Sequence, residues 1–281
     1  MATDLQGQVL AAPIDRKTAV VAGLIRTRLG AAPKRILVVG CGTGQEAAQL
    51  ARSLGTRVIG IDIAPRFDPV AAREVQLQWG DATALDFPDS AFDFVYSYHA
   101  LEHIPDFRRA LAEMRRVLAP NGGYCVGTPN RERLIGYLGS ADGGWREKIR
   151  WNAMDWSARL RGKFRNEHGA HAGFTRRELR DELSAALGLA EDVTLPYYLN
   201  LYARRATAIR RLETSGLSKF LLPSIYFVGR RSADNVSALR PARGSDRPFG
   251  PSRSARPPRA AHREPDAAAP THRAEGGQER S

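Results

Sequence analysis

The sequence has 281 residues, 43% of them apolar, which is ordinary for a folded protein and enough for one sizeable domain with extensions. It contains no apolar run of the roughly eighteen residues that a membrane-spanning helix needs, and its N-terminus lacks the charged-then-apolar layout of a signal peptide. The net charge of +12 is uneven: residues 1–130 carry 14 Lys+Arg against 13 Asp+Glu, 131–231 carry 19 against 11, and 232–281 carry 9 against 6. The first half is therefore not built as one large nucleic-acid surface.

In chain order, Arg16–Leu29 has the pattern of a helix closed by Gly30 and a turn at Pro33. Ile36–Val39 is a continuous apolar run, as a strand buried on both faces requires. It leads into Gly40, Gly42 and Gly44, and a helix is expected from about Gln45 to Ser53. Further strands are predicted at Thr56–Asp62, Val75–Trp79, Phe92–Ser97 and Tyr124–Thr128, with a helix over Asp106–Leu118 that stops at Pro120–Gly123. This alternation predicts a doubly wound parallel sheet.

After Pro129 the rhythm changes. Residues 131–170 hold three of the four tryptophans among many cations, and Trp145, Ile149, Ala153, Trp156 and Leu160 fall on one helical face. That stripe suits a lid over a pocket, an interfacial helix at a membrane, or a solvated excursion. A capping box at Thr175 and Glu178, with Phe174 and Leu179 as its staple, opens another helix. The last strands are expected at Val193–Leu201 and Ile225–Arg230. Residues 232–281 are rich in Arg, Pro, Ala and Gly and are expected to be disordered. Cys41 and Cys125 show neither a disulfide framework nor metal-ligand spacing, so no metal is expected and a reduced, cytoplasmic setting is.

The glycine loop places a ligand between a strand and a helix. Glycines there let the backbone turn sharply and a ligand approach closely. Gly42–Ala47 fits the G-x-G-x-x-A form of the dinucleotide fingerprint, and Asp62 follows Gly42 by twenty residues, where a ribose-binding acid stands. NAD, another adenosine ligand and a bare tight turn all remain open at this point.

Gly80-Asp81-Ala82 adds a second acid at a strand end, followed by FDFVYSYHALEHI (Phe92–Ile104) and LAPNGG (Leu118–Gly123). With these motifs the chain resembles the class I S-adenosylmethionine-dependent methyltransferases over about Lys34 to Gly229. It is nearest the small-molecule branch typified by ubiquinone and menaquinone biosynthesis methyltransferases. The resemblance implies a Rossmann-like, seven-stranded doubly wound sheet with helices on both faces, spanning 34–231. An N-terminal helical extension (1–33), a lid-like insert (131–170) and the tail (232–281) would flank or interrupt it.

The resemblance also implies S-adenosyl-L-methionine as cofactor. Gly40, Cys41, Gly42 and Gly44 would line its methionine part, Asp62 would bind its ribose and Ile63 would pack on its adenine. Asp81 and Ala82 would meet the adenine edge, and His99 would border both cofactor and acceptor. The family often carries an acid where this chain has Val38, a role that Glu46 or backbone carbonyls would then take. A general base is needed only for a hydroxyl or a protonated amine, and His99 and His103 are the first candidates, with Tyr98, His168 and His171 beside them. Glu102 reads as structural.

The expected reaction is methyl transfer to O, N or C of a small, in one reading lipophilic, acceptor. Peripheral membrane contact through 145–165 would accompany a lipophilic one. The alternative is an RNA methyltransferase or nucleic-acid binder using the basic second half. Against it, Ser97-Tyr98-His99-Ala100 stands where an N/D-P-P-Y/F motif would follow the fourth strand, and no cysteine pair suits attack on a pyrimidine. An NAD-dependent oxidoreductase is disfavoured by the Gly80-Asp81-Ala82 motif, and a non-catalytic protein of the same fold by the intact glycines and Asp62.

Overall fold

The apolar run Arg35–Val39 (β1) becomes the buried centre of a seven-stranded sheet in a computed structural model that describes residues 14–64, 66–137, 144–166 and 172–232. The other strands are Arg57–Asp62 (β2), Gln76–Trp79 (β3), Phe92–Tyr98 (β4), Leu118–Pro129 (β5), Ala190–Asp192 (β6) and Ser224–Arg230 (β7). Their order is β3-β2-β1-β4-β5-β7-β6. The order reverses between β1 and β4, which opens the crevice above the carboxyl ends of those two strands where ligands bind in such sheets.

Alternate side chains feed two core layers. Ile36, Val38, Phe94, Tyr96, Cys125, Tyr226 and Val228 face one layer. The helices on that face are Arg16–Leu29 (α1), Gln45–Leu54 (α2), Ala71–Glu74 (α3) and Thr194–Leu201 (α7). Leu37, Val39, Val95, Tyr124, Val126, Ile225 and Phe227 face the other, with Phe107–Val117 (α4) and Arg176–Ala186 (α6). The caps follow the sequence. Asp15 accepts from the Lys17 and Thr18 N–H groups, Gly30 closes α1 at φ +76°, and Thr175 and Glu178 cap α6 reciprocally.

Three expectations change. The sheet is mixed, because β7 runs antiparallel to both β5 and β6. That direction brings Ser224, the first residue of β7, level with Pro129 at the carboxyl end of β5. Second, Val193–Leu201 is not a strand; the strand is the short β6 before it, and Thr194–Leu201 is α7. Thr194, Tyr197, Tyr198 and Leu201 are its buried residues, spaced i, i+3, i+4 and i+7. Pro196 is tolerated because it lies in the first turn, where no intrahelical N–H donor is lost. Third, Pro120–Gly123 turns inside β5 rather than before it. Asn121 takes φ +59°, and the pairing jumps from Phe92–Leu118 to Phe94–Gly123 across the resulting bulge.

The insert forms a helix, Trp145–Leu160 (α5), that is turned inside out. None of its residues is buried, and most of the predicted stripe faces outward: Trp145 is 68% exposed, Ile149 59% and Leu160 86%, while the Trp156 indole N–H donates to the Leu134 carbonyl at 3.1 Å. Its polar side does the anchoring. Asn152 Nδ2 donates to the Gly136 carbonyl (3.1 Å) and its Oδ1 accepts from the Gly136 N–H (2.7 Å). Asp155 pairs with the buried Arg133 at 3.2 Å, and Arg159 donates to the Arg133 carbonyl at 2.7 Å. The stripe is thus not packed down over a pocket. Two shorter helices, Ala206–Thr214 (α8) and Ser218–Leu221 (α9), lead into β7. The expected tail, and with it everything beyond residue 232, lies outside the described residues, as do His168 and His171.

Candidate active site

The glycine loop is fixed from below and open above. The N–H groups of Gly40 and Cys41 both donate to the Ile61 carbonyl at 2.9 Å, and the Gly44 N–H returns to the Cys41 carbonyl at 2.8 Å. Gly40, Gly42 and Gly44 have φ values of +74°, +55° and +83°, a region that side chains disfavour. A Cβ on Gly40 would collide with the Ala100 methyl, so this glycine serves packing against the residue after β4. A Cβ on Gly42 would meet no protein atom within 4 Å. Gly42 leaves its approach clear on the side where a ligand would lie.

Asp62, at the end of β2, ties the loop to the next turn. Its Oδ2 accepts from the Gly42 N–H at 2.8 Å and its Oδ1 from the Ala64 N–H at 2.8 Å. An ionised carboxylate has about four lone-pair positions, so two hydrogen bonds leave acceptor capacity for a ligand's hydroxyls. Ile63 beside it is 66% exposed, an unusual state for isoleucine and the right one for stacking against a flat ring. One strand further out, Asp81 Oδ1 accepts from both the N–H and the hydroxyl of Thr83 at 2.8 Å. These bonds hold its carboxyl below the usual range and turn the chain so that Ala82 is buried. Cys41 is buried in the loop, and burial, reinforced by the nearby Asp62 charge, pushes its thiol up to about 12.

Beyond β4, His99 is exposed and stands in the left-handed region at φ +51°. Such strain in a residue other than glycine persists where the surroundings over-determine it. Here the His99 N–H donates to the Gly127 carbonyl (2.9 Å), its Nε2 lies 3.1 Å from Ser224 Oγ, and its ring lies 4.0 Å from that of Tyr98. His103 is exposed at the end of a single turn, Leu101–His103. Tyr98 stacks on Tyr226 (5.5 Å), and Tyr226 stacks on Tyr197 (3.9 Å), making a phenolic wall behind His99.

Sequence reasoning missed Ser224, which reaches His99 only because β7 is antiparallel; no local signal at Ser224 carries that. Glu102, read from the sequence as structural, is 4% exposed, and among the described residues neither carboxylate oxygen has a hydrogen-bond partner. Burial pushes it up to about 7, against the opposing field of Arg133. No group of three metal-ligating side chains converges among the described residues.

Residues 37–126 match a family model described as a methyltransferase domain. The chain is 43% identical over 103 residues to the demethylmenaquinone methyltransferase of Thermus thermophilus, covering 34% of this chain and 47% of that one. It is 37% identical over 105 residues to a chloroplastic tocopherol O-methyltransferase, so named as probable, of Oryza sativa, covering 34% and 29%. It spans less than half the length of either relative. A solved structure with likeness is that of a Burkholderia thailandensis 1,6-didemethyltoxoflavin-N1-methyltransferase with bound 1,6-didemethyltoxoflavin and S-adenosylhomocysteine. It has TM-score 0.46 and 19% identity, covering 77% of this chain and 78% of that one. The chain resembles the class I methyltransferases, quinone-biosynthesis enzymes among them.

Proposed function

We propose that this chain is an S-adenosylmethionine-dependent methyltransferase acting on a small molecule at O, N or C. The observation that carries the reading is the pairing of an unobstructed Gly42 with an Asp62 that anchors the loop and keeps acceptor capacity. Gly40, Cys41, Gly42 and Gly44 line the methionine part, Asp62 takes the ribose, Ile63 packs on the adenine, and Asp81 and Ala82 face its edge. When bound, the cofactor supplies a methyl already made electrophilic by its sulfonium. The protein's share is alignment and exclusion of water. His99, oriented by Ser224, is the group placed to take a proton from an acceptor hydroxyl, with His103 as the second candidate.

Calorimetric titration tests the reading. S-adenosylmethionine or S-adenosylhomocysteine should bind in preference to NAD, and Asp62→Ala should weaken binding at least tenfold, about 1.4 kcal/mol. Heat with neither adenosyl ligand refutes it.

The acceptor belongs to the lipophilic end of the range. Two relatives carry the names of demethylmenaquinone and tocopherol, both lipid-soluble compounds. No helix among the described residues is long and apolar enough to cross a membrane. The outward stripe of α5 instead gives peripheral contact: Trp145, Ile149 and Leu160 are exposed, with Arg146, Lys148 and Arg150 on the same helix. The protein should sediment with vesicles containing anionic lipid, and replacing Trp145, Ile149 and Leu160 together by serine should reduce binding about tenfold. Equal sedimentation of both proteins would remove the membrane from this account.

A further inference from the structure

The chain leaves α7 at the end of the sheet where His99 and Ser224 meet. The Val193 N–H donates to the Tyr226 carbonyl (2.9 Å) and the Tyr198 hydroxyl accepts from the Ser224 N–H (3.1 Å), so α7 runs beside β7 toward the first residue of that strand. From there Tyr202 to Phe220 carries five cations, Arg204, Arg205, Arg210, Arg211 and Lys219, against one carboxylate, Glu213. Ile209 is the buried residue of α8, and Glu213 lies 3.5 Å from Arg176 at the start of α6. Arg204 and Arg205, in the single turn Ala203–Arg205, and Arg210 and Arg211 in α8 are all exposed. Among the described residues none of these four guanidinium groups is paired with an acid. Tyr202 and Leu217, one before this basic stretch and one after α8, are exposed as well.

Like charges gathered on one surface repel each other, and an anionic partner relieves that repulsion. The neighbouring apolar side chains choose between partners. The Leu134 N–H donates to the Phe220 carbonyl in α9 (2.7 Å), and the Leu134 carbonyl accepts from the Trp156 indole in α5 (3.1 Å). Both helices are thus tied to one residue, which is itself exposed together with Ile135. Cations and exposed apolar residues therefore occupy the same end of the molecule as the candidate site, the composition of a surface that lies on a bilayer. RNA would use the cations and leave the apolar side chains in water. We infer that the outer face of α8, with the turn before it, docks on the phosphates of anionic phospholipid headgroups. The inference rests on the membrane reading above and adds to it a second contact, electrostatic and outside the α5 insert. Two contacts fix an orientation where one does not, and this pair turns the His99 end of the sheet toward the lipid. A lipophilic acceptor then reaches the site without crossing bulk water.

The test uses the full chain and vesicles of phosphatidylcholine alone or with phosphatidylglycerol. Arg204, Arg205, Arg210 and Arg211 are replaced together by glutamine, which suits an exposed helix and leaves no acid unpaired, so the urea midpoint should not move. The expected result is a loss of at least tenfold in affinity for the anionic vesicles, since each cation near such a surface is worth about fivefold. Affinity of the wild-type protein should fall steeply between 50 and 300 mM salt (roughly a Debye length shrinking past the headgroup contact), and that of the variant less steeply. Combined with the serine replacements in α5, the two losses should multiply, as for independent contacts with one bilayer. An α8 variant that binds anionic vesicles like the wild type, while the α5 variant does not, overturns this inference and leaves the α5 reading standing. A loss of affinity for a short RNA duplex without a loss for vesicles also overturns it. If the wild-type protein binds neither kind of vesicle, the membrane reading falls and takes this inference with it.

Discussion

Replacing Glu102 by glutamine should stabilise the protein at alkaline pH and do progressively less for it as the pH falls. The side chain is 4% exposed, and among the described residues no hydrogen bond reaches either oxygen. Burial raises its pKa from 4.5 to about 7, with Arg133 opposing. The sign follows from linkage. Between 4.5 and about 7 the folded state keeps a proton that the unfolded chain has released, so stability falls as pH rises through that window. The full difference, about 2.5 units at 1.36 kcal/mol each, is about 3 kcal/mol once both states are ionised. Glutamine abolishes the titration and adds a pH-independent cost for its own unpaired amide of roughly 1–3 kcal/mol. The quantity to read is therefore the slope of the difference, which cancels contributions from other groups. Urea unfolding of both proteins from pH 5 to 8.5, at constant m, measures it. A difference that stays flat with pH refutes the reasoning and places Glu102 in contact with water or a donor.

Gly42→Ala should cost about 1 kcal/mol of stability for its left-handed φ, yet remove adenosyl-ligand binding, because the added methyl enters the ligand's approach. Gly40→Ala should cost at least about 2 kcal/mol, since the same strain is joined by collision with Ala100; urea midpoints separate the two. Cys41 and Cys125 should both resist a thiol reagent at pH 8 in the native protein and react on unfolding, because burial disfavours both thiolates. Glu113→Ala should cost about 1–3 kcal/mol by chemical denaturation, because it leaves the Leu85 N–H without its acceptor, while the half-exposed Arg116 keeps Asp89 and the Leu85 and Phe87 carbonyls.

How much was legible follows from where the information lies. The helix Arg16–Leu29 and the strands around Arg35–Val39 and Arg57–Asp62 are specified locally, by caps, β-branched runs and glycine stops, and emerge within a residue or two of expectation. Strand direction is not local: nothing in Ser224–Arg230 says that it pairs antiparallel with β5. In α7 the local signals conflicted. Its β-branched and aromatic residues read as a strand, whereas the buried set at Thr194, Tyr197, Tyr198 and Leu201 obeys the helical period. Period was the better guide, because burial selects it and residue type only inclines it.

The insert carries the same lesson further. A stripe at helical spacing predicts which residues share a face, and the α5 stripe does share one, yet spacing is silent on which way that face points. Orientation is decided by the adjoining side, where Asn152, Asp155 and Arg159 meet the Gly136 backbone, the Arg133 guanidinium and the Arg133 carbonyl, and where Trp156 at the edge of the stripe donates to the Leu134 carbonyl. Arg133 is itself 4% exposed, so breaking its bond to Asp155 would leave a buried charge poorly compensated. The helix cannot roll Trp145, Ile149 and Leu160 inward without giving up those bonds together. Trp145, Ile149 and Leu160 are thus held outward by a polar hinge beneath them, and that is why the partner of this face should be sought outside the fold.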